Sequence, residues 1–342
     1  VDSNIKNISV HGAPLTGIGI NRSYNVRMTG CVIVEDGTNT SGTDYGLVIA
    51  NSQFINVDSC YFYSSRHAIT LAGGSGAGSV TNRYVTITNS TLSSDNNYSF
   101  GGHGNMELFT LSNCIIFGAI SVCGDNLNIS NNRITKVIDA KIAIYCYELK
   151  GLNIAIHGNS IYKKGRPATG FGAIIHVHTD AHTESGVVSI NSNVADWEVF
   201  ESSTDANWVV VYPVTDSNSE VIVKIDSNTI TAHGGVCGYG LVKNTNSKDG
   251  IKLLSFTNNI LNNTSGLYVR HQSANKYSCK NVVVRGNYMD GGVYIPFYIE
   301  DVEDKIIFAD NTIANSTLDA VRLQGQSGYF CKEIQILGNV FT

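Results

Sequence analysis

The segment 173–180 reads Ala-Ile-Ile-His-Val-His-Thr-Asp. Side chains alternate between the two faces of a strand. If Ile175 and Val177 turn inward, His176, His178 and Asp180 share the outer face. The same parity sets Tyr145 and Tyr147 outward, just before Glu148. Further along it does so for Tyr268 with Arg270, Tyr298 with Glu300, and Arg322. Flat rings with polar tips suit sugars, because a ring face covers the pyranose C–H side while fixed groups take the hydroxyls. Hydrolysis of a glycosidic bond needs two carboxyl groups, about 5–5.5 Å apart for retention or about 6.5–9.5 Å for inversion. Glu148 and Asp180 are assigned that chemistry with His178 beside them. Tyr145, Tyr147, His176, Tyr268 and Arg270 are assigned to sugar binding. Other acids on this side are Glu107, Asp125 and Glu184. Asp196, Glu198, Glu201 and Asp205 fall in a stretch around 195–207 that is expected to protrude as a loop. The alternative chemistry is elimination, in which a base removes the proton beside a uronate carboxyl group. Arg66, His67, His103, Tyr145 and Arg270 are its candidates. His176, His178 and His182 have zinc-ligand character, but tetrahedral zinc needs a fourth ligand, and no partner to orient the imidazoles can be read from the sequence. No metal and no cofactor is assigned.

A repeat positions these residues. The template is apolar, x, apolar, x, x, then Asn, Cys or Ser, then x, apolar. It reads VRMTGCVI at 26–33, FTLSNCII at 109–116, VKIDSNTI at 223–230 and IQILGNVF at 334–341. The sixth position is Cys31, Cys60, Ser90, Cys114, Asn132, Asn159, Asn193, Asn228, Asn259, Asn287, Asn311 and Asn339, at intervals of 18 to 35 residues. That spacing is too uneven for a helical repeat and suits a coil of short strands with loops of varying length. The expected fold is all-β: a right-handed parallel β-helix of about 12–13 coils, roughly 60 Å long at the strand spacing. Template positions one, three and eight face the core. The sixth stacks in a ladder at about 4.8 Å, each Asn bonding the next. A further strand follows in most coils, as in HAITLA at 67–72 and AIIHVH at 173–178, and the Tyr and His residues sit there. Residues 1–342 are read as one domain. Both ends fall inside a repeat without a cap, so the chain is expected to be a fragment of a longer fibre protein lacking its terminal regions.

Composition agrees. Gly is 34 and Pro only 4 in 342 residues, and 15% of residues are charged with a net charge of −5. This is a mixture for strands and turns, not a helical bundle. Weak acidity without basic runs argues against a nucleic-acid or anionic-membrane binder. No apolar stretch reaches the roughly 18 residues of a membrane helix. The eight cysteines form no CxxC pair and read as buried thiols.

The repeat resembles the pectate-lyase-like β-helix superfamily, and within it phage tailspikes and tail appendages. The more specific stretch is 60–134, with CYFYSSRHAITLAGG, VTNRYVTITNSTL and GGHGNMELFTLSNCIIFGAISVCGDNLNISNNRI in order. Arg66-His67 and His103-Gly104 match an Arg-His turn and a His-Gly element seen in many tailspike-like sequences. The acid that should stand two residues before that histidine is Gly101 here, which puts any role of that acid in doubt. The resemblance adds Arg66, His67 and His103 to the substrate-binding set. It implies a homotrimeric fibre on the virion tail, outside the cell, joined to other tail proteins. Such a fibre grips a bacterial surface polysaccharide (capsule, O-antigen or teichoic acid) and cuts it as an endo-glycosidase; a polysaccharide lyase or a non-catalytic adhesin or fibre segment is the alternative.

Overall fold

The computed structural model describes the chain except residues 1, 14, 36–43, 74–81, 104–105, 139–141, 150–152, 166–171, 180–184, 199–205, 213–219, 236–237, 245–250, 272–276, 292–294 and 326–330; of residues 96, 97, 148, 149, 179 and 244 it describes the backbone alone. Every described strand pairing is parallel, and no described residue is helical. The strands that carry the first half of each template form one 13-stranded sheet, from Ser3–Lys6 through Tyr24–Thr29 and Gln53–Asp58 to Glu333–Leu337, in strict chain order. We call this the ladder sheet. A short strand follows each turn after it, such as Val32–Val34 or Ile260–Asn262. A third strand per coil, such as His67–Ala72 or Gly172–Thr179, completes the circuit. In two coils these last two strands run together, as Thr91–Gly102 and Ile115–Cys123. The result is the right-handed parallel β-helix that the repeat predicts, of thirteen coils.

Period two accounts for the core. Val26, Met28 and Ile33 of one coil, and Val223, Ile225 and Ile230 of another, are buried at the expected template positions in one continuous cluster. The sixth position is inside as well. From Asn132 to Asn311 each amide Nδ2 donates to the next coil's Oδ1 and to a carbonyl of the previous ladder strand. Asn193, for example, reaches Asn228 Oδ1 at 3.0 Å and Ile156 O at 2.9 Å. Its backbone N–H donates to the same Asn228 Oδ1 at 3.1 Å. Both amide hydrogens and both lone pairs are thereby used, which removes the cost of burying the group. In the early coils Cys and Ser take the place: Cys31 N–H donates to Cys60 Sγ, and Cys60 N–H to Ser90 Oγ.

The ladder sheet also carries a column of bulges. Asn25, Phe54, Tyr84, Leu108 and Asn126 adopt positive φ of 54–58° in five successive coils. The register steps over them, pairing Tyr24 with Gln53 and Val26 with Ile55, and then Gln53 with Arg83 and Ile55 with Val85. Left-handed backbone costs roughly 1–2 kcal/mol for an L-residue, and Asn tolerates it far better than a bulky side chain.

One expectation is corrected. Asp196 and Glu198 do not sit on a protruding loop. They lie in the strand Val194–Glu198, in register with Tyr162, Lys164, Thr231 and His233. Glu198 accepts from Tyr162 Oη at 2.5 Å and pairs with Lys164 Nζ at 3.1 Å, and Asp196 lies 3.4 Å from His233 Nε2. The Ala-x-Trp alternation at 195–197 buries both apolar side chains, and it is this that makes the segment a strand. Glu201 and Asp205 lie outside the described residues.

Candidate functional site

The third strands build the site. Their register aligns Thr70, Gly101, Ser121, Tyr145, His176, Val210, Leu241, Tyr268, Tyr298 and Arg322 coil after coil in one outward column. The neighbouring outward column brings Cys123, Tyr147, His178 and Tyr212 together, and further on Lys243 and Arg270. Parity therefore holds as read from the sequence, but outward does not mean bare. Ile142, Ala173, Val210 and Leu241 form a second apolar cluster on which Tyr145, Tyr212 and Tyr268 rest. His176 is only 8% exposed, flanked by Tyr145 at 5.1 Å and edge-on to Tyr212 at 5.2 Å. It forms part of the floor, while Tyr145, Tyr147, His178, Tyr212, Tyr268 and Tyr298 are half-buried around it.

His176, His67 and His103 are pushed toward the neutral form. Burial, with His178 close by, pushes His176 down to about 3. Burial also takes His67 down to about 4, against the hydrogen bond from its ring to Tyr98 O and helped by the charges of His103 and Arg66. That carbonyl can only accept, so Nδ1 of His67 carries the proton at 2.7 Å, and Nε2 keeps a lone pair. His103, 5.5 Å away, is likewise lowered by burial and by Arg66. Gly101 explains the missing acid. A Cβ there would stand 3.0 Å from His67 Cδ2 and 3.2 Å from His103 Nε2, so the two rings already fill that side-chain space. Arg66 donates to Tyr45 Oη at 2.7 Å and lies over that ring. Tyr147 ties the two ends of the region together, its hydroxyl donating to Gly102 O at 2.7 Å across an intervening coil.

Further along, cations alternate with tyrosines. Lys243 lies over the Tyr212 ring, Arg270 over Tyr268 and Arg322 over Tyr298, at 5.3–5.6 Å. Tyr268 and Tyr298 stack at 4.8 Å, and burial with the nearby Glu300 raises both hydroxyls above the usual tyrosine range. Lys243 and Arg270 are register neighbours. Neither pairs with an acid among the described residues, and burial with the Arg270 charge lowers Lys243. Like charges held together without a counter-ion favour an anionic ligand group.

The assigned residues thus fall into two groups on one face: Arg66, His67 and His103 with Tyr147, and Tyr145, His176 and His178 leading to Tyr268 and Arg270. Of the catalytic assignments, His178 is placed on this face. Asp180 lies outside the described residues, as do His182 and Glu184, and so does the side chain of Glu148. Glu107 and Asp125 sit elsewhere, in register with each other on the ladder sheet, with Glu107 bonded to Arg83 at 2.7 Å. Tyr212 and Lys243 were not singled out from sequence. Aligning WVVVYP at 208–213 with AIIHVH at 173–178 on their inward valines would have put Tyr212 beside His178.

The parallel β-helix places the chain in the pectate-lyase-like class. The chain belongs to the Gp49, pectin lyase-like family, whose pattern matches residues 11–254. Among solved structures it is similar to the tailspike gp61 of Pseudomonas phage phi297, at 16% identity and a TM-score of 0.55 over 83% of this chain and 44% of that one. More distant are the tailspike protein gp49 of Pseudomonas phage LKA1, at 13% identity and a TM-score of 0.36 over 87% and 46% of the two chains, and PfbA, a surface adhesin of Streptococcus pneumoniae, at 14% and 0.34 over 98% and 70%. The chain spans less than half the length of either tailspike. No curated protein matches it.

Proposed function

We propose that this chain is the β-helix of a phage tailspike, carried on the virion tail outside the host cell. It binds a bacterial surface polysaccharide (capsule, O-antigen or teichoic acid) and cleaves it internally. The observation that carries this reading is the continuous outward face from Tyr145 to Arg322, where half-buried tyrosines alternate with histidines and cations on an apolar floor. Sugar rings lie against Tyr147, Tyr268 and Tyr298, and fixed polar tips take the hydroxyls. The assembly is a homotrimer joined to other tail proteins.

For cleavage, Glu148 and Asp180 are the assigned carboxylates. Glu148 belongs to the strand Ile142–Leu149, and Asp180 follows the strand Gly172–Thr179, which pairs with it in the next coil. Hydrolysis then has one carboxylic acid protonating the leaving oxygen and one carboxylate acting on the other side of the bond. A second reading is favoured by the Lys243–Arg270 couple, which pairs with no acid among the described residues, and by the lowered imidazoles of His67 and His176. The cations would hold a uronate carboxylate, and a base such as His178 would take the proton from the adjacent carbon. The electron pair forms the C=C bond as the glycosidic C–O bond breaks, and the leaving oxygen gains a proton.

Purified protein incubated with capsule, O-antigen and teichoic acid distinguishes these readings. Release of saturated oligomers, lost in Glu148→Ala with Asp180→Ala, supports hydrolysis. Products with ultraviolet absorbance, lost in Lys243→Ala with Arg270→Ala, support elimination. Binding without any change in polymer size leaves an adhesin and refutes cleavage.

A further inference from the structure

We infer that Tyr24, Phe54, Tyr84 and Leu108 form a ridge on the ladder sheet by which copies of this chain meet side by side with their long axes parallel. The inference rests on the assembly of several copies proposed above and names its contact surface.

Three of the four residues occupy the bulge column. In that column Asn stands at both ends, at Asn25 and Asn126, as the backbone favours. The middle coils hold Phe54, Tyr84 and Leu108 at φ of 54–58°. They are the only large apolar side chains among the described residues with positive φ. Backbone preference selects against such residues here, and burial does not explain them. Tyr24 is 54% exposed, Phe54 39%, Tyr84 46% and Leu108 42%. Stacking between these rings offsets part of the strain, but they lie outside the core, and strain kept at an exposed surface position points to a use outside the fold.

The arrangement decides between occupants. Phe54 and Tyr84 lie parallel with centroids at 4.5 Å, and Tyr24 meets Phe54 edge-on at 4.9 Å. The rings cover one another's faces, so no sugar can enter between them, and what they present outward is a straight apolar strip. It runs along the rod for about 14 Å, three steps of the strand spacing. Closed cyclic symmetry about an axis parallel to the rod brings each height on one copy to the same height on the next, which a straight axial strip fits. The flank suits a like surface. Arg83 and Glu107, next to Tyr84 and Leu108, neutralise each other at 2.7 Å. The exposed part of the four side chains is of the order of 400 Å². That is about half of the roughly 800 Å² per partner of a standard interface, a fitting apolar centre for a rim drawn from the adjoining polar columns.

The test uses Phe54→Asn, Tyr84→Asn and Leu108→Asn, with Tyr84→Gly as a second form, since Asn and Gly accept this backbone. Sedimentation equilibrium of the whole chain gives the assembly, and melting at a dilution where all forms are monomeric gives the fold. The wild type is expected to associate, and each variant to need at least tenfold higher protein concentration to do so, with a monomer melting temperature equal to or above wild type. Unchanged association of the variants beside an oligomeric wild type overturns the ridge and leaves the assembly standing. A wild type that stays monomeric at every concentration overturns both. A lower monomer melting temperature in all the variants shows that the side chains serve the fold, and loss of polysaccharide binding with intact association shows a sugar site; either overturns the inference.

Discussion

Replacing Asn228 by Ala tests the ladder at its centre. Four hydrogen bonds disappear. Asn193 loses the acceptor for its backbone N–H at 3.1 Å and for its amide at 3.0 Å, and Asn228 no longer donates to Ile190 O or Asn259 Oδ1, both at 3.0 Å. All of these groups are buried. Two donors are left without a partner, at about 1–3 kcal/mol each, so the variant should lose about 4 kcal/mol. The two tryptophans of the chain, Trp197 and Trp208, are fully buried in the coil that begins with the Asn193 ladder strand. Urea unfolding followed by their fluorescence therefore reports the damaged region directly, a useful property in a solenoid, where coils need not unfold together. Amide exchange at Asn193 should accelerate as well. Asn281→Ala, which removes an exposed bond to Lys252 O, should cost no more than about 0.5 kcal/mol. A loss below about 1 kcal/mol for Asn228→Ala would refute the ladder argument.

Acid should destabilise the chain through its buried histidines. His67 and His176 titrate at about 4 and about 3 when folded, and near 6.5 when unfolded. Between those values the unfolded chain binds more protons, so their contribution is complete above pH 6.5 and falls as the pH drops through 5, by about 2 kcal/mol for each histidine. His67→Gln and His176→Gln should each flatten the pH profile of the urea midpoint between 7 and 5. Gly101→Ala forces a Cβ against His67 and His103, and should cost about 1–2 kcal/mol of stability and disturb the titration of both rings, seen by NMR. Lys243→Ala with Arg270→Ala should abolish any preference for acidic over neutral glycans on an array.

The fold was legible because its signal is repeated twelve times and each repetition uses simple physics. A period of two buries Val223 and Ile225, and the buried amide at Asn228 must find partners in the next coil. The face of the site followed from the same parity, which aligned Tyr145 with His176. Its depth did not follow, because the burial of His176 depends on Tyr145 and Tyr212, from the coils on either side, whose rings pack against it in a way that alternation within one strand does not state. The strand at Val194–Glu198 has the sequence of a loop, because its acids and Trp197 obscure a two-residue alternation. The bulge column was invisible in sequence, since Phe54, Tyr84 and Leu108 are the residue types least expected at positive φ.

The claim that the outward face holds a glycan is tested most directly by calorimetric titration of host polysaccharide into the wild type and into Tyr268→Ala. The tyrosine is stacked on Tyr298 and crossed by Arg270, and so lies at the centre of the face. Its removal should cost about 2 kcal/mol, a roughly thirtyfold weaker Kd, with the fold intact by circular dichroism. Equal affinity in the two proteins would contradict the account.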